Sequence, residues 1–165
     1  MLTSYTPAKT KTQFSAAITA TEHLKYCCGL SAIPPSEGRH KIVAGDTQYH
    51  LLGSANIDKD CQTTFPQDNR WDFVVGYHKS TGAVAFFIEE HSATSGEVSC
   101  MGRKLNWLKQ YLNRPANATL NQLPRQFHWL AHDGIKIPTH LPQYRHLQRL
   151  RGQGLCGPVR LLVLT

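Results

Sequence analysis

The chain has 165 residues, 41% hydrophobic and 18% charged, with a net charge of +7 and a pI near 9.3. That length suits one domain, residues 1–165, with a core of its own, and the twelve glycines and nine prolines are too few for a collagen-like or wholly disordered chain. No apolar run approaches the roughly 20 residues of a membrane span, and no apolar stretch follows the first basic residues, so no membrane partner is expected and the expected location is the cytoplasm.

In chain order, residues 13–28 predict a helix, with Phe14, Ala17, Ile18, Thr21, Leu24 and Cys28 on one stripe and Gly29 as its C-cap. Residues 34–46 read as a loop holding a short strand at 40–44, Tyr49 to Ile57 as a strand, and 58–70 as a connector. The aromatic and β-branched runs 71–77 and 83–91 flank a short glycine-containing loop and predict a hairpin. Over 97–113, Val98, Met101, Leu105, Leu108 and Leu112 recur at spacings of three and four before Pro115, which predicts an amphipathic helix packed on the sheet. A buried strand at 127–131, a turn at Asp133-Gly134, a basic helix at 142–151 and a last strand at 158–164 complete the series. The expected fold class is α/β, a mixed β-sheet sandwiched by helices.

The charge is unevenly distributed. Lys and Arg number 7 against 6 Asp and Glu in residues 1–70, 1 against 3 in 71–96 and 10 against 2 in 97–165. An acidic middle within a basic protein suits a metal-dependent enzyme acting on a polyanion, and DNA or RNA is the expected partner. Arg145, Arg149 and Arg151 form a basic face on the 142–151 helix, with Arg125, Lys136 and Arg160 near in sequence, suited to phosphate contacts. A homodimer or a larger nucleoprotein complex stays open. The five cysteines are odd in number and irregularly spaced, without a Cys-x-x-Cys pair, and read as free thiols. His128, His132 and Asp133 are weak metal candidates, and Trp107 and Tyr111 are better suited to packing than to stacking on bases.

Asp72 opens one strand of the hairpin and Glu89 lies near the end of the next, so two carboxylates converge, as Mg²⁺ requires of its protein ligands. Strand alternation places Glu89 and His91 on one face and Glu90 on the other. The run Trp71 to Tyr77, then Phe86-Phe87-Ile88-Glu89-Glu90-His91, then a helix containing Lys104 resembles the core of the PD-(D/E)xK nuclease superfamily over roughly residues 13–131. The resemblance implies a restriction-endonuclease-like core in which Asp72 and Glu89, with the backbone carbonyl of Glu90, hold Mg²⁺ or Mn²⁺ for phosphodiester hydrolysis. One residue departs from the pattern: His91 stands where the family usually has Lys. His91 itself, or Lys104 from the following helix as in some members, would then assist the reaction, and Glu22 on the first helix would add a further acidic group. The rival expectations are a non-catalytic nucleic-acid-binding module or nucleoprotein subunit that keeps the fold, and a protein-binding scaffold with no nucleic-acid role.

Overall fold

A computed structural model describes residues 6–45 and 50–165. Helix α1, Pro7–Ala20, is capped by the Thr6 side chain and starts on Pro7, whose missing N–H costs nothing in a first turn. It buries Thr10, Phe14, Ala17 and Ile18. The helix expected over 13–28 therefore starts and stops earlier. Thr21 is extended, its hydroxyl donates back to the Ala17 carbonyl, and the Glu22 N–H leaves the helix ladder to donate to Asn117 Oδ1. Cys27, expected on the helix, instead bridges Ser54 in antiparallel fashion, Cys28 is exposed, and Gly29 caps no helix.

The remaining elements are β1 Ile42–Ala44, β2 Leu51–Asn56, α2 Ile57–Cys61, β3 Phe73–Lys79, β4 Gly82–Thr94, α3 Val98–Leu112, α4 Ala118–Asn121, β5 Arg125–Lys136, α5 Pro142–Gly152, β6 Leu155–Val159 and β7 Leu162–Leu164. The connector after residue 57 thus contains a short helix, and the single strand expected at 158–164 is split into β6 and β7. Tyr49, the first residue of the strand expected there, lies outside the described residues, as does the Met1–Tyr5 segment.

The main sheet has five strands in the order β2-β3-β4-β5-β6. β3 and β4 are antiparallel, as the hairpin signal predicts, and β2 is antiparallel to β3, whereas β4–β5 and β5–β6 are parallel. Each parallel step needs a long crossover, which α3 and α5 supply. β1 and β7 pair in a separate two-stranded parallel ribbon.

The helices cover one face only, which corrects the expectation of a sheet between two helical layers. Phe14, Ile57, Met101, Leu105, Leu120 and Leu147 from the helices pack with Ala85, Phe87 and Trp129 of the sheet. The other face, with Phe73, Val75, Phe86, Ile88 and Leu130, is covered by Ile33, Ile42, Leu162 and Leu164 from the loop and the ribbon. Sequence favours this asymmetry because the 30–45 segment is rich in proline and glycine and cannot form a helix, yet carries apolar residues that must be buried. No helix among the described residues is long and apolar enough to cross a membrane.

α1 lies close to the sheet because β3 carries Gly76 under the Phe14 ring, where a Cβ would come within 2.5 Å of Phe14 Cγ. Gly76→Ala is therefore expected to cost about 1–3 kcal/mol of stability through overpacking, read as a lower urea midpoint. An unshifted midpoint would contradict this packing.

Candidate active site

The site forms where β4 outruns its partner. Phe73, the first residue of β3, pairs with Ile88, so beyond Ile88 β4 has no β3 residue beside it. Its main-chain groups there need other partners, and Asp72 provides one: its Oδ2 accepts the Glu90 N–H at 2.9 Å. In return Glu89 Oε2 accepts the Asp72 N–H at 3.1 Å. Asp72 is further held by its carbonyl, which accepts the N–H groups of Ile57 and Asp58 at the start of α2, and by the fully buried Trp71 before it.

These reciprocal bonds use one oxygen of each carboxylate and leave Asp72 Oδ1 and Glu89 Oε1. Lys104 Nζ lies 3.5 Å from the first and 2.5 Å from the second. The lysine comes from α3, whose Val98, Met101, Leu105, Leu108 and Leu112 are buried as the periodicity predicts. Its position between Met101 and Leu105 lets the stem run along apolar surface to the carboxylates. The Glu89 side chain is 0% exposed, Lys104 16% and Asp72 20%, so the cluster opens to solvent on the Asp72 and Lys104 side. Glu89 Oε1 is fully buried and has the Lys104 ammonium as its close partner.

Burial, reinforced by the neighbouring Asp72 charge, pushes the Glu89 carboxyl well above the ordinary carboxylate range. Burial also raises Asp72, against the opposing pull of Lys104. For Lys104 burial acts downwards, but the Glu89 and Asp72 charges outweigh it and raise the ammonium's pKa. The three groups titrate as a unit: the lysine keeps its proton, and Glu89 is the carboxylate most prone to take one up as pH falls.

His91 shares the helix-facing side with Glu89. Its Nδ1 lies 3.9 Å from Glu89 Oε1 and its Nε2 lies 2.7 Å from Glu97 Oε2, while its carbonyl accepts the Trp129 indole N–H. Glu90 points to the opposite face, as alternation predicts, where its carboxylate meets Lys41 Nζ at 3.1 Å and His132 Nδ1 at 3.3 Å. Any part that Glu90 plays at the Asp72–Glu89 pair falls to its main chain.

Other residues singled out from sequence lie apart from this cluster. Glu22 pairs with Arg114 and His23 instead of joining the acidic pair. His128 stacks on Phe86, bonds Gln126, and is pushed down to about 4 by burial, which makes it a neutral structural residue; His132 turns to Glu90. Trp107 stacks on Tyr111 and donates to Asp68, in keeping with a packing role. Arg145, Arg149 and Arg151 are exposed on α5, and Arg151 also donates to the Gly157 carbonyl. α5 packs against both α3 and the Ser95–Glu97 turn, which sets this basic helix beside the strand end that carries Glu89 and His91. Sequence reasoning missed Lys41 as Glu90's counter-charge, because nothing local links two residues so far apart in the chain.

Comparison of the chain with protein-family models, curated proteins and solved structures gave no match.

A group with a raised folded-state pKa contributes stability that is full below its unfolded value and is lost as pH rises through the folded one. Wild type therefore carries a growing penalty for ionised Glu89 as pH rises from the ordinary glutamate range towards its raised folded-state value, which Glu89→Gln lacks. The variant's melting temperature relative to wild type, measured in chelator, is expected to rise across that interval. A constant or falling difference would show that Lys104 fully compensates the buried charge.

Proposed function

We propose that the chain is a metal-dependent nucleic-acid phosphodiesterase, an endonuclease built on a PD-(D/E)xK-like core, with Lys104 of α3 in the role of the motif lysine. The observation that carries this reading is the convergence of Asp72 Oδ1, Glu89 Oε1 and Lys104 Nζ at the open end of β4. The helix, antiparallel strands, helix and parallel strand in chain order support it.

The donors fit a cation of the Mg²⁺ or Mn²⁺ class. Such ions take oxygen ligands, one or two of them carboxylates, and here Asp72 Oδ1 and Glu89 Oε1 both lie within 3.5 Å of the Lys104 ammonium. Asp72 and Glu89 would hold the ion, with the Glu90 carbonyl beside them. When bound, it would supply Lewis-acid polarisation of a phosphoryl oxygen and a water of lowered pKa.

The chain's own groups do the rest. The main-chain bonds to Asp72 and Glu89 fix the carboxylates before any ligand arrives, so little reorganisation is needed. Lys104, permanently charged, neutralises negative charge developing near the scissile phosphate. It suits this role better than His91, whose Nε2 is engaged by Glu97. Arg145, Arg149 and Arg151, exposed on the helix that packs on α3, would hold the sugar-phosphate backbone without reading sequence. Protonation of Glu89 competes with the cation, so activity is expected to fall towards acid pH.

The test is incubation of the protein with circular plasmid, single-stranded DNA and RNA in Mg²⁺, Mn²⁺ or chelator. Divalent-dependent cleavage is expected. Asp72→Asn, which keeps an acceptor for the Glu90 N–H, should abolish it, and Lys104→Gln should lower it about 10²–10³-fold. Retarded but uncut nucleic acid would overturn hydrolysis in favour of a binding module, and no retardation at low salt would overturn the nucleic-acid reading altogether.

A further inference from the structure

Next to the carboxylate pair stands a second group of donors of different chemistry. His91, Glu97 and Cys100 each offer one ligand atom, and these lie within 4.8 Å of one another on half-buried side chains. Glu97 and Cys100 are one turn apart at the entry to α3 and so share a face, and His91 reaches them from the end of β4. The imidazole Nε2 already meets Glu97 Oε2 at 2.7 Å.

The donor types decide which ion is suited. A thiolate and an imidazole are poor ligands for Mg²⁺ and good ones for Zn²⁺ and its borderline neighbours. Bonds of about 2.0–2.3 Å in a tetrahedron put ligand atoms roughly 3.3–3.8 Å apart, and side-chain rotation covers the contraction needed from the present spacing. Three protein donors leave a fourth position open, the pattern of accessible zinc sites.

A further observation concerns the other side of the imidazole. Metal-bound histidines usually present their second nitrogen to a carboxylate or carbonyl, which fixes the tautomer and strengthens the ligand. His91 Nδ1 faces Glu89 Oε1 at 3.9 Å, a buried oxygen that the Lys104 ammonium also holds at 2.5 Å. With Nδ1 protonated and turned towards Glu89, Nε2 would exchange its present bond to Glu97 for the metal.

The geometry points to a Zn²⁺-binding site formed by His91 Nε2, a Glu97 carboxylate oxygen and Cys100 Sγ, separate from the Asp72–Glu89 pair. The site stands whether or not that pair hydrolyses anything. It also gives His91 a purpose that a missing motif lysine does not: the residue two places after Glu89 is a ligand of a neighbouring ion.

The test uses the full chain freed of metal, with Zn²⁺ alone followed by calorimetry and equilibrium dialysis, and Co²⁺ as a coloured substitute. One Zn²⁺ per chain is expected, with affinity lowered about tenfold or more in Cys100→Ser and in Glu97→Gln. The Co²⁺ complex of the unaltered protein should show a thiolate-to-metal charge-transfer band, absent from Cys100→Ser. Asp72→Asn should keep Zn²⁺ binding while losing any Mg²⁺-dependent cleavage, so failure of one reading is separable from failure of the other. Zn²⁺ affinity unchanged in Cys100→Ser, a Co²⁺ spectrum without the thiolate band, or no Zn²⁺ binding would overturn the proposal.

Discussion

Asp72 and Glu89 hold each other in place through the main chain: each carboxylate accepts an N–H from the segment that carries the other. The exchange follows from β3 beginning one residue after Asp72, so that β4 emerges beside it with unpaired amides. It determines which carboxylate oxygens are left without a main-chain partner, and it places both beside Lys104 of α3. A buried ion cluster of this kind is a poor source of stability, since desolvation offsets most of the attraction. Its position at the mouth of the sheet suits the preorganised site proposed above.

The same strand end is secured from the other face. Glu90 pairs with Lys41, whose ammonium also donates to the carbonyls of Ala131 and His132 on β5. The loop ahead of β1 is thereby tied to the β4–β5 seam, while Lys104 ties α3 to it from the helical side. Three successive residues, Glu89, Glu90 and His91, thus connect to three parts of the protein: the lysine of α3, the ribbon-side loop, and the turn into α3. Hard oxygen donors at Asp72 and Glu89 lie beside softer nitrogen and sulfur donors at His91 and Cys100, with Glu89 Oε1 common to the surroundings of both.

Much of this was legible in the sequence. The alternation of strand side chains separates Glu89 from Glu90 correctly, and the resemblance singles out Lys104 on the following helix, which reaches the carboxylates. The hairpin and α3 follow from strong local patterns. The early end of α1 was not legible, because it depends on Asn117, a residue distant in sequence, capturing the Glu22 N–H. Nor was the one-sided helical layer, since the opposite face is covered by an irregular segment whose apolar residues have no period. The His91–Glu97–Cys100 group escaped because its spacing matches no common zinc pattern and becomes compact only when β4 turns into α3.

The central claim is that Asp72 and Glu89 share a divalent cation. A crystal structure of the unaltered protein grown in Mn²⁺, with anomalous scattering recorded at the manganese edge, tests it most directly. An anomalous peak within bonding distance of both Asp72 Oδ1 and Glu89 Oε1, with the Lys104 ammonium displaced from between them, is the predicted result. Lys104 still bridging the two carboxylates at saturating Mn²⁺, with no peak beside them, would contradict it.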